Sequence, residues 1–395
     1  CVQRSGGDKM RVSHGTSLAL LAALLLLTAV LVAAGAEPGA GSPWALFEIL
    51  EHSVWFQDIS GDRLVYSDIG PPPNLTLLNI KSGETRVLEE FLPCGVPKKA
   101  RIEGDWLVAE FHCSALGKTQ FQSHVYNLET GETLLLAADP PDPELPYSWY
   151  VDINDGRVVW SQIDDCVSGS HLYLLDLETR DIVRITDEAG AAARMDLHLG
   201  PEWLVWDEFD AFDDVFVVHG ANLTTGETIT MTQENSFRGN VPLAGSDTIV
   251  WNGRTASGYG QIWAYDLATG DTYQIQASGD FPFAADLSGD LLVLSDRVDA
   301  PAEMLADQPA GAPMEPCELP RAGSVLKNRV RVLDLESGND IFVYYNPEAR
   351  YISDIRIDGG TVIWNELAGQ YPDEISHVLG ARRLDRQVYA PLVFR

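Results

Sequence analysis

Positive charge is scarce in this chain of 395 residues. Lys and Arg number 27 against 58 Asp and Glu, a formal net charge of −31. Affinity for phosphate backbones comes from Lys and Arg, so nucleic acid and anionic membrane surfaces are excluded as partners. Basic ligands and metal cations suit the charge better. Motifs of catalysis are missing too. The sequence has no G-x-S-x-G elbow, no H-E-x-x-H helix and no G-x-x-x-x-G-K-[ST] loop, which argues against hydrolase, zincin and nucleotide-phosphate chemistry. Carboxylate pairs brought together by the fold remain open to glycoside or lyase chemistry. Long apolar runs are limited to one, Leu18 to Ala34.

That run follows Met10 and the basic Arg11, and precedes Ala34-Gly35-Ala36. The order of basic, apolar and small residues predicts a secretory signal over residues 1–36, including the upstream CVQRSGGDK, with cleavage before Glu37. An uncleaved anchor is the alternative, since the run approaches the length that spans a bilayer. The expectation is an exported protein (periplasmic, cell-surface or extracellular) with no stable membrane insertion after cleavage. Residues 37–53 form a Gly/Pro/Ala linker and an apolar stretch from Trp44 able to supply an edge strand.

From residue 54 to 395 the chain repeats itself. An apolar tetrad recurs as Arg63–Tyr66, Trp106–Ala109, Arg157–Trp160, Trp203–Trp206, Thr248–Trp251, Leu291–Leu294 and Thr361–Trp364. A turn recurs after it: Asn79-Ile-Lys-Ser-Gly83, Asn127-Leu-Glu-Thr-Gly131, Asn222-Leu-Thr-Thr-Gly226, Asp266-Leu-Ala-Thr-Gly270 and Asp334-Leu-Glu-Ser-Gly338, with Arg180 in the Gly slot of the third repeat. The Asx side chain caps its own turn, and Gly takes the left-handed position. Seven units of about four short strands predict an all-β, seven-bladed β-propeller of four-stranded antiparallel blades. The last residues of the tetrads, Tyr66, Trp160, Trp206, Trp251 and Trp364 among them, are expected to pack between blades.

The pattern of DISGDR, an apolar tetrad and a YDL-x-TG turn resembles the TolB-type, WD-repeat-like propeller repeats of secreted bacterial and archaeal proteins. The resemblance implies architecture and little about function. The Trp-Asp and Gly-His signatures of eukaryotic WD repeats are absent, as is the docking tryptophan of quinoprotein dehydrogenases.

With strands a to d named from the axis outward, short a–b and c–d turns share one face. The b–c and d–a loops share the other and vary in length: Ser67 to Asn74, Phe111 to Ser123, Ser161 to Ser170, Asp207 to Asp214, Asn252 to Gly260, Asp296 to Lys327 and Asn365 to Glu374. Binding is expected on that irregular face. Asp207, Glu208, Asp210, Asp213 and Asp214 are its sharpest cluster. No cofactor is expected, though such donors suit Ca²⁺, which takes many oxygen ligands; a solvated acidic loop is the plainer reading. A second set lies eight residues before the end of each tetrad (the −8 positions): Asp58, Arg101, Asp152, His198, Leu243, Asp286 and Arg356. Alternation points it into the central channel, as a polar ligand site or as ion pairs between blades.

Four cysteines follow residue 36: Cys94, Cys113, Cys166 and Cys317. Export permits disulfides. Proximity pairs Cys94 with Cys113, leaving Cys166 and Cys317 to bridge across the ring through the Pro/Ala-rich insertion, or to stay as free thiols. The expected function is a binding scaffold for a protein or polysaccharide of the cell envelope, with a carbohydrate-active enzyme as the alternative.

Overall fold

The computed structural model describes residues 44–51, 54–68, 74–88, 97–115, 118–137, 147–163, 170–186, 193–210, 215–231, 241–254, 260–276, 280–299, 326–346, 349–368 and 375–383. The signal segment, Cys94, Cys166, Cys317, Asp213 and Asp214 lie outside these. Seven four-stranded antiparallel sheets follow one another. Six use four consecutive strands. The seventh takes Ala349–Asp358, Thr361–Ala368 and Ile375–Arg383 as strands a to c. Its outer strand is Trp44–Glu51, paired antiparallel to strand c. The first described strand thus closes the ring, which explains why the c–d turn motif has no counterpart in the last repeat.

Each blade has two apolar faces, so its core lies between blades. Seven hydrophobic clusters result, one at each junction of neighbouring blades. The tetrad-end aromatics fill them: Tyr66, Trp160, Trp206, Trp251 and Trp364 are all buried and pack against the preceding blade.

Turn chemistry repeats with the blades. Asn79 Oδ1 accepts the backbone N–H groups of Lys81 (3.0 Å) and Ser82 (2.9 Å). Asn127, Asp176, Asn222 and Asp266 do the same in their turns. Gly83 closes the turn at φ 74°, a conformation that favours a residue without Cβ. Arg180 holds the same place at φ 67°. Its guanidinium pairs with Glu132 (2.7 Å) and lies 5.1 Å over the Trp106 ring, contacts across the blade 2–3 junction that offset the left-handed backbone.

The b–c connections differ from expectation. Strands Trp106–Ala115 and Lys118–Asn127 continue through most of the segment read as the loop Phe111 to Ser123. Phe111 is fully buried there, and Cys113 lies inside strand b instead of starting a loop. Apolar alternation past the tetrad sustains the hairpin. In the other blades strand b also runs past the expected start of the loop.

Candidate functional site

The seven innermost strands surround a channel with a cavity of about 1110 Å³. All seven −8 residues line it: Asp58, Arg101, Asp152, His198, Leu243, Asp286 and Arg356. The period of two along each strand a places them there.

Most of these side chains do structural work across the blade boundary. Asp58 Oδ2 accepts the backbone N–H of Ile102 (2.9 Å), Asp152 Oδ2 that of Leu199 (2.8 Å) and Asp286 Oδ2 that of Ile357 (2.9 Å). His198 Nδ1 accepts the N–H of Ala244 at 3.1 Å, which leaves its proton on Nε2, 3.7 Å from Asp286 Oδ1. In every case the donor stands one residue after the −8 position of the next blade. Strand-a N–H groups at the axis have no neighbouring strand on that side, so an acceptor from the adjoining blade satisfies them. Blades 2, 5 and 7 carry Arg101, Leu243 and Arg356 at this position, which offer no acceptor, and break the series.

The cations fit more loosely. Arg101 Nη1 donates to Gln57 O at 3.1 Å, but its guanidinium stays 3.5 Å from Asp152 Oδ1 and 4.0 Å from Asp58 Oδ1. Arg356 Nη1 donates to Ile355 O at 2.8 Å, and its Nε sits 3.9 Å from Asp58 Oδ1 without a hydrogen-bond partner. Burial pushes Asp58 up to about 6 against the pull of Arg101 and Arg356. Burial works to raise Asp286, but the His198 imidazole beside it, Arg356 and the Ile357 N–H together hold it below the usual carboxylate range.

A further tier lies nearer the b–c face. Lys99, Tyr150, Asp196, Val241 and Asp354 stand two residues before the −8 positions and line the same cavity. Tyr150, Asp196, Val241 and Asp354 have φ of 52°, 48°, 38° and 49°, and the strand pairing shifts beside Tyr150, Asp196 and Asp354. These β-bulges re-aim strand a at the channel mouth. Burial and the nearby Arg101 bring Lys99 down to about 8, and burial raises Asp196. The −8 reading stopped short of this tier. Extending its own parity by two residues names all five.

The described part of the acidic cluster is not a loop. Asp207 and Glu208 belong to strand Trp203–Asp210, not to a loop, and alternation sends them to opposite faces. Asp207 is fully buried, while Glu208 pairs with Arg194 Nε at 3.0 Å. Asp210 ends the strand. Among the described residues no group of three or more His, Cys, Asp and Glu is placed to hold a metal ion.

No protein-family model matches the sequence, and no curated protein matches it. Solved structures do resemble this fold. An oligogalacturonate lyase from Vibrio parahaemolyticus has TM-score 0.52 at 11% identity, over 85% of this chain and 93% of that one. TolB from Acinetobacter baumannii has TM-score 0.41 at 10% identity, over 85% and 80%. BamB from Moraxella catarrhalis has 0.43 at 13%, over 82% and 85%. The chain is a seven-bladed β-propeller with TolB and BamB among its structural neighbours. At such identities the likeness is one of fold, and one propeller fold hosts enzymes and non-enzymes alike. No helix among the described residues of this propeller is long and apolar enough to cross a membrane.

Proposed function

We propose that this propeller is an exported, non-catalytic scaffold that binds an envelope protein or polysaccharide through its b–c face and the channel opening onto it. The supporting observation is the commitment of three of the five carboxylates in the channel's two tiers. Asp58, Asp152 and Asp286 each give one oxygen to a backbone N–H of the next blade. A general acid or nucleophile needs an oxygen turned to substrate and free to change protonation without loosening the fold. These three join blades together. The a–b and c–d turns of the opposite face repeat from blade to blade, whereas the b–c face differs between blades, and binding sites concentrate on such variable loops over a rigid scaffold.

The test is affinity capture from native envelope extract with wild-type protein and with a Phe283→Asp/Tyr351→Asp variant. Both side chains are exposed at the b–c mouth of the channel. Capture of one stoichiometric partner, lost in this variant and kept in Lys81→Glu on the turn face, is the expected result. Turnover of a peptide or polysaccharide by the purified protein, or capture indifferent to both changes, would sink the reading.

A further inference from the structure

The upper half of the channel contains more polar groups than it satisfies. Among the described residues the side chains of Lys99 and Asp196 form no hydrogen bond or ion pair, although both line the cavity. Arg356 Nε is buried without a hydrogen-bond partner. The Arg101 and Arg356 forks stand 3.5 to 4.0 Å from their carboxylates, too long for direct hydrogen bonds. Asp354 takes Ser353 and Asn365 on one oxygen, Oδ2. Uncommitted donors and uncommitted acceptors therefore interleave around one space.

Charge narrows the ligand. Within the two tiers Lys99, Arg101 and Arg356 face five carboxylates, Asp58, Asp152, Asp196, Asp286 and Asp354, and carboxylates also outnumber cations over the rest of the lining. An anion meets more like charge than opposite charge here. A cation meets two guanidinium groups and an ammonium, and leaves all their donors unused. A hydroxyl both donates and accepts, so a polyhydroxylated neutral molecule completes both sets at once, where leaving buried groups unpaired is costly.

Aromatic rings add the other half of the pattern. Phe283 and Tyr351, on adjacent blades, line the cavity mouth and are 43% and 55% exposed. Exposed rings at the mouth of a polar cavity offer flat apolar surfaces, which match the C–H face of a pyranose. The cavity, about 1110 Å³, is also at the large end for small-ligand sites, roomy enough for more than one sugar ring.

From these features we infer that the channel mouth is a binding site for a neutral oligosaccharide, held by Lys99, Arg101, Arg356, Asp196 and Asp354 and stacked on Phe283 or Tyr351. The inference rests on the scaffold reading above and adds the ligand class.

The experiment is calorimetric titration and thermal shift of the whole chain with neutral α- and β-linked di- and trisaccharides of glucose, galactose, mannose and N-acetylglucosamine. Citrate and spermidine serve as anionic and cationic probes. At least one saccharide is expected to bind and to raise Tm, since it binds only the folded state. Tyr351→Ala, at an exposed site, and Lys99→Met, which removes an unpaired charge, are each expected to weaken binding about tenfold while leaving the fold intact. No binding across the saccharides, or preference for citrate or spermidine, overturns the proposal. So does saccharide binding indifferent to both variants. Release of new reducing ends would overturn the scaffold reading and leave the site standing. Partner capture without saccharide binding would do the reverse.

Discussion

Asp58 shows how one residue serves two demands. Its carboxyl caps the Ile102 N–H and lies between two guanidinium groups, yet burial outweighs them and pushes its pKa from 3.8 to about 6. Between those two values the folded state holds a proton that the unfolded state has released. The stabilising contribution is therefore complete below pH 3.8 and lost as pH rises through about 6. Asn keeps the oxygen that accepts from Ile102 and has no charge to desolvate. Asp58→Asn is expected to gain stability relative to wild type as pH climbs through that window, by about 3 kcal/mol at pH 7. Denaturant unfolding of both proteins from pH 4 to 7 checks this. A difference that stays constant with pH would show that Arg101 and Arg356 compensate the burial.

At the scale of elements, ring closure is the exposed point of the design, because the outer strand of blade 7 comes from the other end of the described chain. Gly380 faces Phe47 across that junction, and a Cβ at Gly380 would stand 2.6 Å from Phe47 Cζ and 2.8 Å from Cε2. Gly380→Ala is expected to destabilise the fold by about 1–3 kcal/mol, and Phe47→Leu in the same chain to recover part of the loss. Additive losses in the double variant would place the strain elsewhere. Sequence alone made the blades legible because a tetrad of apolar residues with a capped turn has one reading, and period two then placed all seven −8 residues correctly. It hid what depends on pairing. The hairpin around Phe111 extends because strand c matches it residue for residue, and the bulges at Tyr150, Asp196 and Asp354 exist only as a mismatch between two strands. The acidic segment was misjudged for the opposite reason. Composition suggested a loop, but Asp207 and Glu208 continue the alternation of Trp203 to Trp206 and stay in the strand.

For the whole molecule, the outstanding quantity is its charge of −31. Like charges spread over a compact body repel one another and lower its stability relative to an expanded chain. The channel network is different: its charges are mixed in sign and enclosed, and buried charges are screened far less than surface charges. Added salt therefore acts mainly on the surface repulsion. At 0.01 M ionic strength the screening length is about 30 Å, and at 0.1 M about 10 Å, so most of the long-range repulsion disappears between the two. Tm is expected to rise over this interval with NaCl and with KCl alike, and to level off at higher concentration. Millimolar Ca²⁺ at constant ionic strength should add nothing more, since two of the five carboxylates between Asp207 and Asp214 are already engaged: Asp207 is buried and Glu208 is held by Arg194. Differential scanning calorimetry across the salt series decides both points. A falling Tm would mean that surface ion pairs such as Arg63–Asp105 and Arg382–Asp62 outweigh the net repulsion, and a separate Ca²⁺ increment lost on Asp213→Ala would restore the acidic segment as a metal site.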